Sequence, residues 1–209
     1  MKTLLFCTAY ADSQDAWNER YKVWFEYYQA CGIKYDKILI FDDASPVRPE
    51  FLPEENYYRF DDHIGRPSHL DYGGWYRSFS TAVRYAKNNG FDKIIHAESD
   101  AYFLSRQIID FVNSLNSGWH NMWCAKHNFN ESALQIICPD QIESYYRFTD
   151  FPYDEYRNKL IDKMFPYTDV YKFFKGDRFG EYMDHIPIDA DYSCQTTPHM
   201  IREYLAKKI

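Results

Sequence analysis

The chain has 209 residues and a mass of 25.2 kDa, which suits one sizeable domain (1–209) with a core of its own. A formal charge of −7 with no Lys/Arg-rich run argues against a nucleic-acid partner. Cys7, Cys31, Cys124, Cys138 and Cys194 include no close pair, which argues against a disulfide framework or a cysteine zinc site.

The opening residues 1–6 are apolar over too short a span for a signal peptide or a transmembrane segment, so a cytoplasmic chain is expected. Residues 3–10 (TLLFCTAY) form an apolar run of strand length, and Asp12-Ser13 supplies a helix cap. Trp17, Tyr21, Trp24, Tyr28 and Cys31 then share one helical face, which Gly32 terminates. Residues 36–41 (DKILIF) give a second buried strand, closed by the acid-rich turn Asp42-Asp43-Ala44-Ser45-Pro46. An edge segment near Tyr57 to Phe60 and a polar loop from Asp61 to Asp71 follow. The next helix starts near Tyr72 to Trp75 and runs to Asn89, with Trp75, Phe79, Ala82 or Val83, and Ala86 on its apolar face and Gly90 after it.

That helix feeds Lys93 to Ser105, KIIHAESDAYFLS. Glu98 and Asp100 stand one residue apart at the end of a buried strand, and desolvated carboxylates require a cation. An extended backbone points both the same way. Two oxygen donors suit Mg²⁺ or Mn²⁺ completed by substrate phosphates; an arginine partner or a solvated strand end is the alternative.

Ser105 caps a helix carrying Ile108, Ile109, Val112 and Leu115. Residues 119–126 and 133–138 read as strands around a polar loop, 127–132. Asp140 with Glu143 has capping-box spacing for a helix to about Phe148, and another helix is expected from Asp154 to Met164. The segment with Tyr145, Tyr146 and Phe148 is a candidate surface for an acceptor, a membrane or a second subunit. Thr197-Pro198 starts the last helix, which runs to Lys208.

Strands alternating with helices in this order predict a mostly parallel sheet covered on both faces, with a ligand site beyond the carboxyl ends of its strands. Thr8-Ala9-Tyr10, Asp42-Asp43 and Glu98-Ser99-Asp100 each lie at such an end.

Those three clusters, in that order, resemble the nucleotide-sugar-binding half of glycosyltransferases with the A-type fold. In that family an Asp-Asp-Gly-Ser turn stands where this chain has Asp42-Asp43-Ala44-Ser45, and Asp-x-Asp stands where it has Glu98-Ser99-Asp100. The resemblance covers residues 1–105 well and 106–209, the acceptor half, loosely. It implies a Rossmann-like three-layer α/β/α sandwich and a metal-dependent transfer of a sugar from a nucleoside-diphosphate sugar to a glycan or lipid-linked acceptor, as in polysaccharide biosynthesis. It also implies that Asp100 binds Mn²⁺ or Mg²⁺, that Glu98 reaches the ribose or shares the metal, that Asp43 contacts the base, and that Thr8 and Tyr10 frame base and ribose. The replacement of the first Asp by Glu98 departs from the family pattern.

Arg66 and Arg77 flank the predicted site, as phosphate ligands or surface ion pairs. His199, in a first helical turn, and His185 are candidates for a further metal ligand or phosphate contact. Glu131, Asp189 and Asp191, with Glu181 behind them, are candidates for the base that takes the acceptor proton. Two other readings remain open: a sugar-nucleotide nucleotidyltransferase, which would want a glycine-rich basic loop where Ala9-Tyr10-Ala11-Asp12 stands, and a non-catalytic carbohydrate-binding module using the aromatic residues, 20% of the chain.

Overall fold

The computed structural model describes residues 1–68 and 70–208. Its strands are β1 (Thr3–Ala9), β2 (Lys37–Asp42), β3 (Tyr57–Arg59), β4 (Lys93–Ala97), β5 (Tyr102–Phe103), β6 (Trp119–Cys124), β7 (Phe129–Ile137), β8 (Asp169–Tyr171), β9 (Gly176–Asp177) and β10 (Tyr192–Ser193). Among the described residues seven of them form one sheet in the order β3-β2-β1-β4-β7-β6-β8, and β5-β10-β9 form a second, smaller one. Strands β1 to β4 are mutually parallel, as the sequence predicts. Strand β7 runs against both its neighbours, while β6 and β8 are parallel to each other.

The central strands read as continuous apolar runs because both of their faces are covered. Leu5, Cys7 and Ala9 of β1 pack on one side with Trp17, Trp24 and Tyr28, and with Ile108 of α4 (Arg106–Ser114, named here by its place in the chain) and Ile201 of the last helix. Leu4 and Phe6 point to the other side, against Phe79, Ala82 and Val83 and against Tyr145. Two cores separated by one sheet make the three layers. The covering helices are α1 (Gln14–Ala16), α2 (Val23–Ala30), α3 (Gly73–Asn88), α4, α5 (Ile142–Asp150) and α6 (Pro198–Ala206).

Ser13 caps the first helix through its hydroxyl, which accepts from the Ala16 amide at 3.2 Å. Ser13→Ala should cost about 1 kcal/mol, read as a lower midpoint in chemical denaturation at unchanged slope. Between α1 and α2 the helix widens: Trp17–Lys22 is π-helical, so the pattern read as one regular α-helix contains an inserted turn.

Four expectations are corrected. The helix from Asp154 to Met164 is replaced by two short 3₁₀ turns, Tyr153–Glu155 and Ile161–Lys163, because Asn158 between them is left-handed at φ 63°. The strand assigned to 133–138 begins at Phe129, its polar start hidden from a hydropathy reading by Asn130 and Glu131. The Asp140/Glu143 capping box does not form, since Asp140 accepts from the Gly118 amide at 2.8 Å and Glu143 pairs with Lys87 at 3.1 Å. Tyr145 and Phe148 are buried in the second core rather than displayed to a partner. No helix among the described residues is long and apolar enough to cross a membrane.

Candidate functional site

The carboxyl ends of β1, β2 and β4 open onto two adjoining cavities of about 370 Å³ each, which share Arg20, Arg66, Trp75 and Glu98. The first is lined by Asp100, Glu131, Asp162 and Arg178 among others, and the second by Thr8, Tyr10, Asp43 and His63. Thus Thr8, Tyr10, Asp43, Arg66, Glu98, Asp100 and Glu131, all expected at the site, do meet at one rim.

At the end of β2 the two acids divide their tasks. Asp42 is buried and ties its own turn, accepting from the Ser45 amide and hydroxyl and from the Tyr57 hydroxyl at 2.6 Å; burial raises its carboxyl above the ordinary value against these donors. Asp43 faces the cavity. Its Oδ2 accepts from the Gly65 amide at 2.8 Å and lies 3.0 Å from His63 Nδ1, while Arg77 ion-pairs with Oδ1. Arg77, expected as a phosphate ligand, lines neither cavity. It lies over the Phe60 ring and also pairs with Asp62 at 2.8 Å, so it positions Asp43 instead. The His63 ring stacks on Tyr10, with centroids 4.1 Å apart.

Gly74, in the first turn of α3, presses against the same carboxylate, and an added Cβ would overlap it. With Asp43 pinned from three sides, Gly74→Ala should cost about 1–3 kcal/mol of stability and displace Asp43, measurable as a lowered melting temperature.

The Glu98-Ser99-Asp100 segment lies just beyond β4 in a turn closed by the Ala101 amide on the Glu98 carbonyl, not in the extended backbone expected. Both acids nevertheless line the first cavity. Glu98 is occupied by the protein: Thr8 Oγ1 donates to Oε2 at 3.0 Å, Trp75 Nε1 donates to Oε1, and His96 Nε2 lies 3.0 Å from Oε1 without the alignment of a hydrogen bond. Burial pushes its carboxyl up, but these neighbours outweigh burial and hold it below the ordinary value. Burial pushes the Asp100 carboxyl up as well; there Arg20 opposes the shift only in part and the charge of Glu98 adds to it.

Arg20, which sequence reasoning missed, comes from the π-helical turn. Its Nη2 meets Asp100 Oδ2 at 2.7 Å and its Nε donates to Ser99 Oγ at 2.7 Å. Next to it, the Tyr21 hydroxyl accepts from the Tyr10 amide at 3.1 Å and donates to the Tyr10 carbonyl at 3.0 Å, fixing the end of β1. Burial pushes the Tyr21 phenol up to about 12, although Arg20 draws it down. An inserted helical turn at a site is the one local feature that marks Arg20.

Across the cavity stands a second ion pair. Arg178 grips Glu131 with two bonds, Nε to Oε2 at 2.6 Å and Nη2 to Oε1 at 3.1 Å, and lies 3.8 Å from Asp162, which also accepts from Ser132. Glu131 is 1% exposed, and burial raises its carboxyl in spite of Arg178. Glu131 lines the first cavity, and in this structure both of its oxygens are bound by Arg178. The remaining candidates lie outside both cavities. Asp191 accepts from the Ser105 hydroxyl and, at 2.7 Å, from the Lys175 amide, tying β10 to α4. Asp189 pairs with Lys175 at the surface, and His199 pairs with Glu203 at 3.4 Å with its side chain 77% exposed. Glu181 serves Lys126 and His127, and His185 pairs with Asp184. None of Asp189, Asp191, His185 and His199 lines either cavity.

Among the described residues no three His, Cys, Asp or Glu side chains converge as a ready-made metal site. Oxygen donors alone, one of them Asp100 at the cavity wall, fit a hard divalent cation that takes the rest of its shell from water and a bound phosphate.

No protein-family model matches the chain, and no curated protein does. Among solved structures it is similar to the crystal structure of a glycosyltransferase involved in the glycosylation of the major capsid of PBCV-1, with 12% identity, a TM-score of 0.52 and the whole of both chains covered. At that identity the likeness is one of fold: a mostly parallel sheet between helical layers, of the glycosyltransferase A-type.

Proposed function

We propose that this chain transfers a sugar from a nucleoside-diphosphate sugar to a hydroxyl of a glycan or lipid-linked acceptor with the help of Mg²⁺ or Mn²⁺. The observation that carries the reading is the continuity of the two cavities beneath the ends of β1, β2 and β4. One end offers a stacked Tyr10–His63 pair beside a fixed carboxylate, suited to a base and ribose. The middle offers Arg20 and Arg66, suited to a diphosphate, and the far end offers Asp162, Glu131 and Arg178, suited to hydroxyls of a sugar.

In this reading the bond between the anomeric carbon and the terminal phosphate oxygen breaks as the acceptor oxygen bonds to that carbon. Negative charge then grows on the diphosphate, and stabilising that charge is the largest available effect. Asp100 would hold a divalent cation on the protein side, and that cation, when bound, would supply the neutralisation. Glu98, engaged by Thr8 and Trp75, orients the turn and the ribose end instead of sharing the metal. Asp162 takes the place of Glu131 as the carboxylate to receive the acceptor proton, since Glu131 is gripped on both oxygens.

The test is a panel of UDP-, GDP-, CDP- and dTDP-sugars incubated with the protein and Mn²⁺, with release of the nucleoside diphosphate as readout. Slow hydrolysis of one donor class, accelerated by an acceptor sugar, is the expected result. Absence of binding and turnover across the panel overturns the reading.

A further inference from the structure

We propose that Arg20 is a latch on Asp100, a positioning residue that competes with a divalent cation for this carboxylate and is drawn off it by a diphosphate. The cation's place rests on the reading above; the competition itself does not need a sugar donor.

Three observations converge on it. Arg20 meets Asp100 Oδ2 at 2.7 Å, so the acid expected to hold a cation is already engaged by one from the protein. Arg20 is held there by a second bond, to Ser99 in the same turn, which makes the contact a two-pronged one on the segment that carries Asp100. Its backbone belongs to the π-helical turn Trp17–Lys22, an arrangement that gives up regular helix geometry and aims this side chain at the end of β4. The charged groups facing Asp100 are Arg20, Glu98 and, from across the cavity, Arg178. Of the three, only Arg20 makes an ion pair with it among the described residues.

A divalent cation and a guanidinium cannot both sit on Asp100 without mutual repulsion. A cation arriving alone must displace Arg20, whose side chain is 44% exposed, and so break a part-exposed ion pair. A diphosphate changes the balance, because it gives the fork of Arg20 new oxygens to bind while itself completing the cation's shell. The same side chain thus weakens the cation in the empty site and favours it once a diphosphate is present. Such coupling is reciprocal, so the cation must tighten the diphosphate by the same factor.

The experiment is titration calorimetry of Mn²⁺ into the full chain and into Arg20→Gln and Arg20→Lys, each with and without saturating UDP or GDP, after thermal melts have established that the variants are folded. Without nucleotide, Arg20→Gln should bind Mn²⁺ about threefold to fivefold more tightly than the parent, the scale of a part-exposed ion pair lost as competitor, and Arg20→Lys should fall between them. With nucleotide the parent should gain and Arg20→Gln should lose most of that gain. An Arg20→Gln affinity for Mn²⁺ alone equal to or weaker than the parent's overturns the latch, even if nucleotides bind. If Arg20→Gln tightens Mn²⁺ while no nucleoside diphosphate binds any form, the competition at Asp100 stands, and its release by a diphosphate falls together with the donor assignment. Asp100→Asn should abolish the Mn²⁺ signal in the parent and in the Arg20→Gln background; retained binding there places the metal elsewhere and also overturns the latch.

Discussion

Replacing Asp100 by Asn should lower kcat/KM for the donor by about a thousandfold, roughly 4 kcal/mol of transition-state stabilisation, while leaving the fold intact. Asn matches Asp in size and still offers Arg20 an acceptor oxygen, so the turn after β4 keeps its shape. What disappears, under the proposed function, is the negative charge that would gather cations where a diphosphate departs. The stability side has a defined sign. The Asp100 carboxyl is raised in the folded protein, mainly by burial, so its ionised form is disfavoured by folding at neutral pH, and an amide relieves that strain in return for the lost ion pair. The melting temperature should therefore change little. Steady-state kinetics with Mn²⁺ beside a thermal melt separate the two effects, and full activity in Asp100→Asn would remove this residue from the chemistry.

The second large effect is one of stability. Arg178→Met should destabilise the protein by about 3–5 kcal/mol, because it strips both charge-assisted bonds from a carboxylate that is 1% exposed. For a chain of this size that is a drop of roughly ten degrees in melting temperature. The double variant Glu131→Gln with Arg178→Met should recover a large part of the loss, since no uncompensated charge is left buried. If both forms melt together, the pair contributes through packing and not through charge. Differential scanning calorimetry near neutral pH decides between them.

How much of this was legible beforehand follows a physical rule. Strands β1, β2 and β4 were legible because burial on both faces demands unbroken apolar runs, and Asp43, Glu98 and Asp100 were legible because they end those runs. Arg20 was not, although it lies within the first helix, since its partner is 80 residues away and the widened turn that aims it has no hydropathy pattern. Arg178, Asp162 and His63 lie in irregular stretches where neither periodicity nor spacing carries information. Glu131 was placed near the site, but its pairing with Arg178 was not legible, because a sequence cannot say which arginine will close on a buried acid. The helix expected at 154–164 is interrupted where Asn158 is left-handed and Leu160 extended, angles that no apolar pattern announces.

The reversed direction of β7 determines how this protein can be taken apart. Its first residues lie at the rim where β1, β2 and β4 finish, which is how Glu131 comes to share a cavity with Asp100. The seam between β4 and β7, together with that between β5 and β10, stitches residues before 105 to residues after it. A cut at that point would bare a raw sheet edge on each fragment, so neither piece is a module that recombination could lend to another scaffold.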